Sequence, residues 1–198
     1  MIIVSIFKFS SFFFENVTAA LPRSLQIPIF DSDSRHMKGE ISTTATGLTG
    51  LSLEGEVRTD ASSRLMYATD ASIYREEPLA VVYPHDSEDI KKLLAFAAKH
   101  RVGIIPRAAG TSLAGQVVGS GIVADLSRHF GRILEINAAE RCVRVERGVV
   151  PYELNAVLRS NGLLFGPETS TSNRCNLGGM IGNNGCGLHS VVYGSVRD

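Results

Sequence analysis

Two stretches carry residues whose types and spacing bear on chemistry: residues 106–116, PRAAGTSLAGQ, and residues 178–194, GGMIGNNGCGLHSVVYG. Both place glycines and small polar residues where the chain must bend sharply. Successive backbone N–H groups that point into one concavity form an anion nest, and glycine allows both the unusual dihedrals and a close approach to a pyrophosphate. The hydroxyls of Thr111 and Ser112 would add donors. Arg107 has two readings: it neutralises bound negative charge, or it braces the loop by donating to carbonyls. Neither stretch matches GxGxxG at the start of a helix or GxxxxGK[ST], and Gly182, Gly185 and Gly187 have the first spacing reversed. The residues alone therefore leave ordinary turns as the alternative to a nucleotide site.

Other chemistry-bearing residues give weaker signals. His189 follows the glycine turn, but a histidine between Leu188 and Ser190 fits a hydrogen-bonded structural role better than a place beside a bound ligand. His36, His85, His100 and His129 have no partners spaced for a metal or a triad. Cys142, Cys175 and Cys186 are odd in number and lack paired ligand spacing, so free thiols in a reducing compartment are expected, with no metal. Cys175 and Cys186 are expected to be small buried thiols. Tyr193 could stack on a planar ligand or fill the core.

The elements that must position the two glycine-rich stretches follow from hydrophobic patterning. LAVVYP beyond Pro78 is a short continuous apolar run, as in a strand buried on both faces. In the helix pattern that follows, Ile90, Leu93, Leu94, Ala97 and Ala98 fall on one face, with acids at its start and Lys99, His100 and Arg101 at its end before Gly103. GIIP is a second strand, so residues 79–106 form a β-α-β unit with parallel pairing. GIVADL, RILEI and CVRVERG are three further strands, and the alternation of Val143 and Val145 with Arg144 and Glu146 marks the last as half-exposed in a mixed second half. PYELNAVLRSNG, with proline first and Asn-Gly last, is a short helix. Upstream, Asp60 or Ser62 would cap a helix of roughly ten residues. Residues 166–198 are expected to be a long ordered loop.

Composition bounds the rest. The 198 residues are 44% hydrophobic and 20% charged, which suits a folded globular chain. Twenty basic residues balance twenty acidic ones, so neither a nucleic-acid backbone nor an anionic membrane surface is an expected partner. The opening MIIVSIFKFSSFFF is too short to span a bilayer and is broken by Lys8. A secretory signal with small residues at Ala19 and Ala20 is weighed against an ill-structured extension upstream of a start at Met37. Residues 1–53 are expected to be a poorly structured extension, with order beginning near Gly55.

PRAAGTSLAGQ, followed in order by GIVADLS, RILEIN, VRVERGVVPYELNAVLRSNGLLFGPETST and LGGMIGNNGCGLHSVVYGSVRD, closely resembles the FAD domain of the FAD-linked oxidases of the vanillyl-alcohol oxidase type. The resemblance covers about residues 54–198. Within that group, RTDASSRLMYATDASIYREEP resembles the lead-in of the large FAD/FMN-containing dehydrogenases, which include D-lactate dehydrogenases and glycolate oxidase subunits.

The resemblance implies an α+β fold of two small α/β subdomains with FAD between them: a lead-in at 54–77, a first subdomain at 78–126 and the start of a second at 127–198. It also implies that about a third of the domain lies beyond Asp198, so that the chain is C-terminally truncated. By resemblance Arg107, Ala108, Ala109, Gly110, Thr111 and Ser112 wrap the pyrophosphate. Pro167, Glu168, Thr171, Gly178, Gly179, Ile181, Asn184 and Gly187 line the flavin site, and the turn from Ser190 through Tyr193 to Gly194 closes over the cofactor. Some relatives tether FAD through a histidine after the pyrophosphate glycines; Thr111 stands there, so non-covalent binding is expected. Ala108 and Ala109 replace glycines common in relatives, so either their φ angles are negative or the nest is strained by on the order of 1 kcal/mol per residue.

The implied activity is oxidation of a small 2-hydroxy acid, D-lactate or glycolate, by hydride transfer to the flavin, with a quinone, cytochrome or iron-sulfur protein as electron acceptor. The catalytic base and the carboxylate-binding cation are expected in a cap domain outside this sequence. The alternatives are a stand-alone or remnant flavin-binding module, and a flavoprotein that oxidises an alcohol, a sugar or an alkylglycerone-phosphate ether. The expected location is the cytoplasm, with peripheral attachment at the inner face of the membrane as a variant.

Overall fold

The computed structural model describes residues 3–6 and 46–198. The choice between a signal and an upstream extension therefore falls largely outside the described residues. In chain order the elements are strands β1 (Ile3–Ile6) and β2 (Glu56–Arg58), helix α1 (Ala61–Met66), β3 (Ala80–Tyr83), α2 (Ser87–His100), β4 (Ile104–Arg107), β5 (Ile122–Asp125), β6 (Ile133–Asn137) and β7 (Cys142–Val145). They are followed by α3 (Pro151–Leu158), which tightens into a 3-10 turn at Arg159–Asn161, then α4 (Leu177–Gly182) and α5 (Ser190–Tyr193).

The strands form two sheets, ordered β2-β3-β5-β4 and β1-β7-β6. In the first, β3 and β4 both run parallel to β5, with Val81 opposite Val123 and Arg107 opposite Asp125, and β2 adds an antiparallel edge. Direct pairing of β3 with β4 is not what forms, because β5 lies between them. All four residues of β5 are buried, so the centre of the sheet suits it, and there both of its backbone edges find partners. Leu79, Ala80, Val82, Leu93, Phe96, Ile122 and Ala124 pack into one core together with Leu48. Leu48 is fully buried in a helical turn at residues 46–49, and β1 lies at residues 3–6, so parts of the expected extension at 1–53 are structured.

The second sheet pairs β6 and β7 antiparallel, with β1 parallel to β7 on the other side. Val143 and Val145 point inward and Arg144 outward, as the two-residue alternation requires. Leu154 and Leu158 of α3 cover the inner face with Phe165, Leu177 and Met180. Residues 166–198 depart from the expected loop: Leu177 and Met180 are buried one helical turn apart in α4, and that apolar spacing folds a stretch whose glycine content alone argues against helix. Among the described residues, no helix is long and apolar enough to cross a membrane.

Local signals account for the helix ends. Asp60, not Ser62, caps α1, accepting from the Ser63 N–H at 2.9 Å, and the helix closes after six residues. In α2 the Asp86 carboxylate accepts from the Asp89 N–H at 2.9 Å, Glu88 and Asp89 sit in the first turn, and Lys99 and His100 sit in the last. The left-handed residue that ends α2 is Arg101 (φ 54°) rather than Gly103, at a cost of about 1 kcal/mol.

Asp89 ties these pieces together. Its side chain is buried, and its two oxygens accept from the N–H groups of Glu54 (3.0 Å), Gly55 (2.8 Å) and His85 (2.9 Å). Burial opposes its ionisation, but those backbone donors and Lys92 outweigh it and hold the carboxyl below the usual carboxylate value. Asp89→Asn is expected to destabilise the fold by about 3 kcal/mol, because it removes a charged acceptor from buried donors. The folded-state pKa is depressed, so this contribution is fully present above the ordinary value of 3.8 and is lost as pH falls through the lower folded value. Denaturant melts across the acid range should show a flatter acid limb in the variant than in the parent.

Candidate functional site

The first glycine-rich stretch begins where β4 leaves its sheet. The last bond of that edge runs from the Leu126 N–H to the Arg107 carbonyl at 2.8 Å. Beyond it, among the described residues, the backbone N–H groups of Ala108, Ala109, Thr111 and Leu113 have no hydrogen-bond acceptor. Gly110 turns the chain at φ 65° and Gly115 turns it again at φ 74°, while Ala108 and Ala109 are not among the positive-φ residues. The two alanines therefore impose no backbone strain. The result is a partly exposed turn carrying several amide donors that an anion would satisfy.

The turn is held from behind. The Arg107 guanidinium lies against Gly110, where an added Cβ would meet Nη2 at 2.6 Å. It also donates to the Tyr67 carbonyl at 3.4 Å and sits 5.0 Å from the centre of the Tyr67 ring. Of the two readings of Arg107, this geometry favours the brace. The Ser112 hydroxyl is taken up inside the loop by Gln116 Oε1, whereas the Thr111 hydroxyl has no partner among the described residues.

The second stretch meets the first. A Cβ on Gly179 would lie 3.1 Å from the Cβ of Ala108, and Gln116 Nε2 donates to Asn183 Oδ1 at 3.0 Å. The start of α4 thus packs directly against the turn after β4. Gly178 is required at the back of this contact: its N–H donates to the Arg147 carbonyl at 2.8 Å, and a Cβ there would stand 2.7 Å from the Arg147 Cβ. From α4 the contact continues through Gly185, which faces Thr169, to Gly187, where an added Cβ would land on the Glu168 carbonyl.

The remaining expected site residues have traceable positions. Pro167 and Glu168 are half-buried, and the Glu168 carboxylate pairs with His189 Nδ1 at 3.1 Å. The hydroxyl of Thr171 lies 3.2 Å from that of Thr169, and its carbonyl accepts from the Arg174 and Cys175 N–H groups. Ile181 is exposed on α4. Asn184 adopts φ 46°, and its side-chain oxygen accepts from the Arg197 N–H. Ser190 accepts the Gly187 N–H at 2.8 Å, and Gly194 ends α5 at φ 76°. Tyr193 packs the base of its ring on Gly166 but is 48% exposed, so it does not fill the core. Cys186 is exposed, contrary to expectation, and only Cys175 is a buried thiol. Its neighbour Gly185 takes the inward position, against Thr169 and Met180.

Sequence reasoning missed three supports. Asn176 is buried and donates to the Gly148 carbonyl at 2.7 Å. Arg147 stacks its guanidinium 4.3 Å from the centre of the Phe130 ring, and burial pulls its pKa below the usual guanidinium value while Glu146 opposes that shift. Asp125, 6% exposed, sits at the end of β5 beside Arg107. No residue spacing announces these roles, because the partners of each lie on other elements.

Comparison with known proteins matches residues 78–198 to the family described as FAD binding domain. The chain belongs to that family. FAD is its cofactor, and the fit is visible in the residues: amides free to donate, small residues flanking them and glycine where the turn needs positive φ. The chain is 46% identical over 147 residues to a D-2-hydroxyglutarate dehydrogenase of Pseudomonas putida, covering 73% of this chain and 15% of that protein. It is 34% identical over 139 residues to glycolate oxidase subunit GlcD of Bacillus subtilis, covering 69% and 30% respectively. Among solved structures, an alkyldihydroxyacetonephosphate synthase superposes with a TM-score of 0.67 at 22% identity, over 79% of this chain and 34% of that one. That likeness concerns the fold, an α+β FAD-binding domain. The chain spans about a seventh of the length of the D-2-hydroxyglutarate dehydrogenases it matches.

The close approach at Gly178 gives a direct test of the packing between α4 and the β7–α3 connection. Gly178→Ala is expected to destabilise the fold by about 1–3 kcal/mol, since backbone atoms of Arg147 cannot move aside as a side chain can. At Gly182 a Cβ meets nothing within 4 Å, so Gly182→Ala should be neutral or stabilising by up to about 1 kcal/mol. Urea unfolding of the two variants checks the contrast.

Proposed function

We propose that this chain is the flavin-binding part of a dehydrogenase that oxidises a D-2-hydroxy acid, and that the turn at residues 108–113 takes the diphosphate of FAD. The observation that supports this reading best is the row of amides without acceptors after β4, faced by Gly179 and closed by the Gln116–Asn183 bond. Backbone donors fixed in place before binding need no reordering when an anion arrives. In this reading Arg107 holds the turn, Ala108, Ala109, Gly110, Thr111 and Ser112 line the diphosphate, and Gly178 and Gly179 let α4 approach it. Pro167, Glu168, Thr171, Ile181, Asn184, Gly187, Ser190, Tyr193 and Gly194 lie along the surface that continues toward the flavin. Thr111 offers no nucleophile for a covalent tether, which supports non-covalent binding.

When bound, flavin supplies the acceptor for a hydride. This chain's residues bind and orient it; the base for the substrate hydroxyl and the cation for its carboxylate are assigned to the remainder of a longer protein. The substrate class rests on the relatives. Identity is higher to D-2-hydroxyglutarate dehydrogenases, 46%, than to glycolate oxidase subunits, 34%, so a 2-hydroxydicarboxylate is favoured over the lactate or glycolate suggested by the family resemblance. Electrons would leave the reduced flavin to a separate acceptor.

The 198-residue chain refolded with excess FAD is expected to hold a flavin absorbance band, and acid precipitation should release all of it to the supernatant. Gly110→Val, which forces a branched side chain into positive φ and against Arg107, should weaken FAD binding at least tenfold. In protein isolated from its own cells, D-2-hydroxyglutarate should bleach the flavin anaerobically faster than D-lactate or glycolate. Faster bleaching by lactate would return the substrate to the monocarboxylates, and flavin retained in the acid pellet would refute non-covalent binding.

A further inference from the structure

The FAD-binding match begins at residue 78, yet the turn at residues 108–113 is held by residues before it. The Ala71 N–H donates to the Gly110 carbonyl at 3.1 Å, which fixes the orientation of the peptide at the head of the turn. The Tyr74 ring packs on Gly115, where an added Cβ would meet Cδ2 at 2.5 Å. Tyr67, the residue that ends α1, does most. Its carbonyl accepts from Arg107 Nη1, its ring lies beneath the same guanidinium, and Arg107 in turn abuts Gly110.

Tyr67 is itself anchored. Its hydroxyl donates to Asp125 Oδ2 at 2.5 Å, while Asp125 Oδ1 accepts from the Ser127 N–H (2.8 Å) and hydroxyl (2.6 Å). Asp125 lies opposite Arg107 in the sheet register, so the anchor sits one strand away from the turn it serves. Burial and the Asp125 carboxylate both push the Tyr67 pKa far up, so the phenol stays neutral and remains a donor. Tyr83 meets the Tyr67 ring edge-on at 6.0 Å and is covered by Arg128, which closes the cluster on its other side.

We propose that Tyr67, locked by Asp125, is a positioning residue for the FAD diphosphate, and that the stretch at residues 67–74 is a working part of the cofactor site although it lies outside the matched FAD-binding residues. This rests on the reading that the 108–113 turn takes a diphosphate. Tyr67 touches no phosphate in this account. It fixes Arg107, and Arg107 fixes the turn whose amides bind.

Tyr67→Phe keeps the ring and the carbonyl and removes only the anchoring hydroxyl. In the full 198-residue chain it should weaken FAD and ADP by the same factor, about tenfold, equivalent to ~1.4 kcal/mol. The two ligands share adenosine and diphosphate and differ in the flavin, so equal losses exclude damage at the flavin, and an unchanged affinity for adenosine alone places the loss at the diphosphate. Leu158→Ala, in the core of the other sheet, controls for loss of stability: it should lower the melting temperature and leave ADP affinity within twofold. Three results overturn the proposal: unchanged ADP affinity in Tyr67→Phe, a loss for FAD without one for ADP, or an equal ADP loss in Leu158→Ala. If the parent chain binds neither FAD nor ADP, the diphosphate reading itself fails, and this inference fails with it.

Discussion

A strand that leaves its sheet leaves its hydrogen-bond partners behind, and the site depends on how β4 does so. After Arg107 the chain carries amides that no described residue accepts. Such groups are costly when partly shielded from water, unless an acceptor is supplied from outside the chain. The fold keeps them in place rather than hiding them. Gly110 turns the chain, Arg107 fills the space behind it, and α4 closes the far side through Gly179 and through Asn183 at its end, which accepts from Gln116. A dinucleotide's diphosphate suits such a turn because its charge is spread over several oxygens.

Two buried carboxylates stabilise the frame around this turn, and both do so through residues upstream of β3. Asp89 gathers three backbone N–H groups from Glu54, Gly55 and His85 at one end of the first sheet. Asp125 gathers Tyr67 and Ser127 at the end of β5, beside Arg107. Each carboxylate sits where chain ends of different elements converge and backbone or hydroxyl donors need an acceptor. A hydrogen bond to a charged group contributes roughly 1.5–3 kcal/mol, more than the propensity of any single short element here. This explains how segments as slight as β2 and α1 hold fixed positions.

Residues 188–193 present a different surface. Leu188 is 84% exposed and Val191 is 97% exposed, close to Tyr193 and to the Glu168–His189 pair. Apolar groups gathered in this way differ from the scattered exposed residues normal on a protein surface. They adjoin the residues proposed to follow the cofactor toward the flavin.

The local elements were legible in the sequence because their signals are local. The apolar run at 79–84, the helical period from Ile90 to Ala98, the alternation at Val143 and Val145 and the proline at 151 each depend on neighbours within a turn or two of chain. The motif PRAAGTSLAGQ likewise carried the family, since the positive-φ glycine and the small residues around it are fixed by the turn they make. What the sequence could not supply was anything that depends on which elements meet. The insertion of β5 between β3 and β4, the helix hidden in the glycine-rich stretch at 177–182, the outward placement of Cys186 and the service of Tyr67 and Asp125 to a turn far along the chain were decided only by tertiary packing. Burial and hydrogen-bond satisfaction are properties of the assembled sheets, and no single segment encodes its partners.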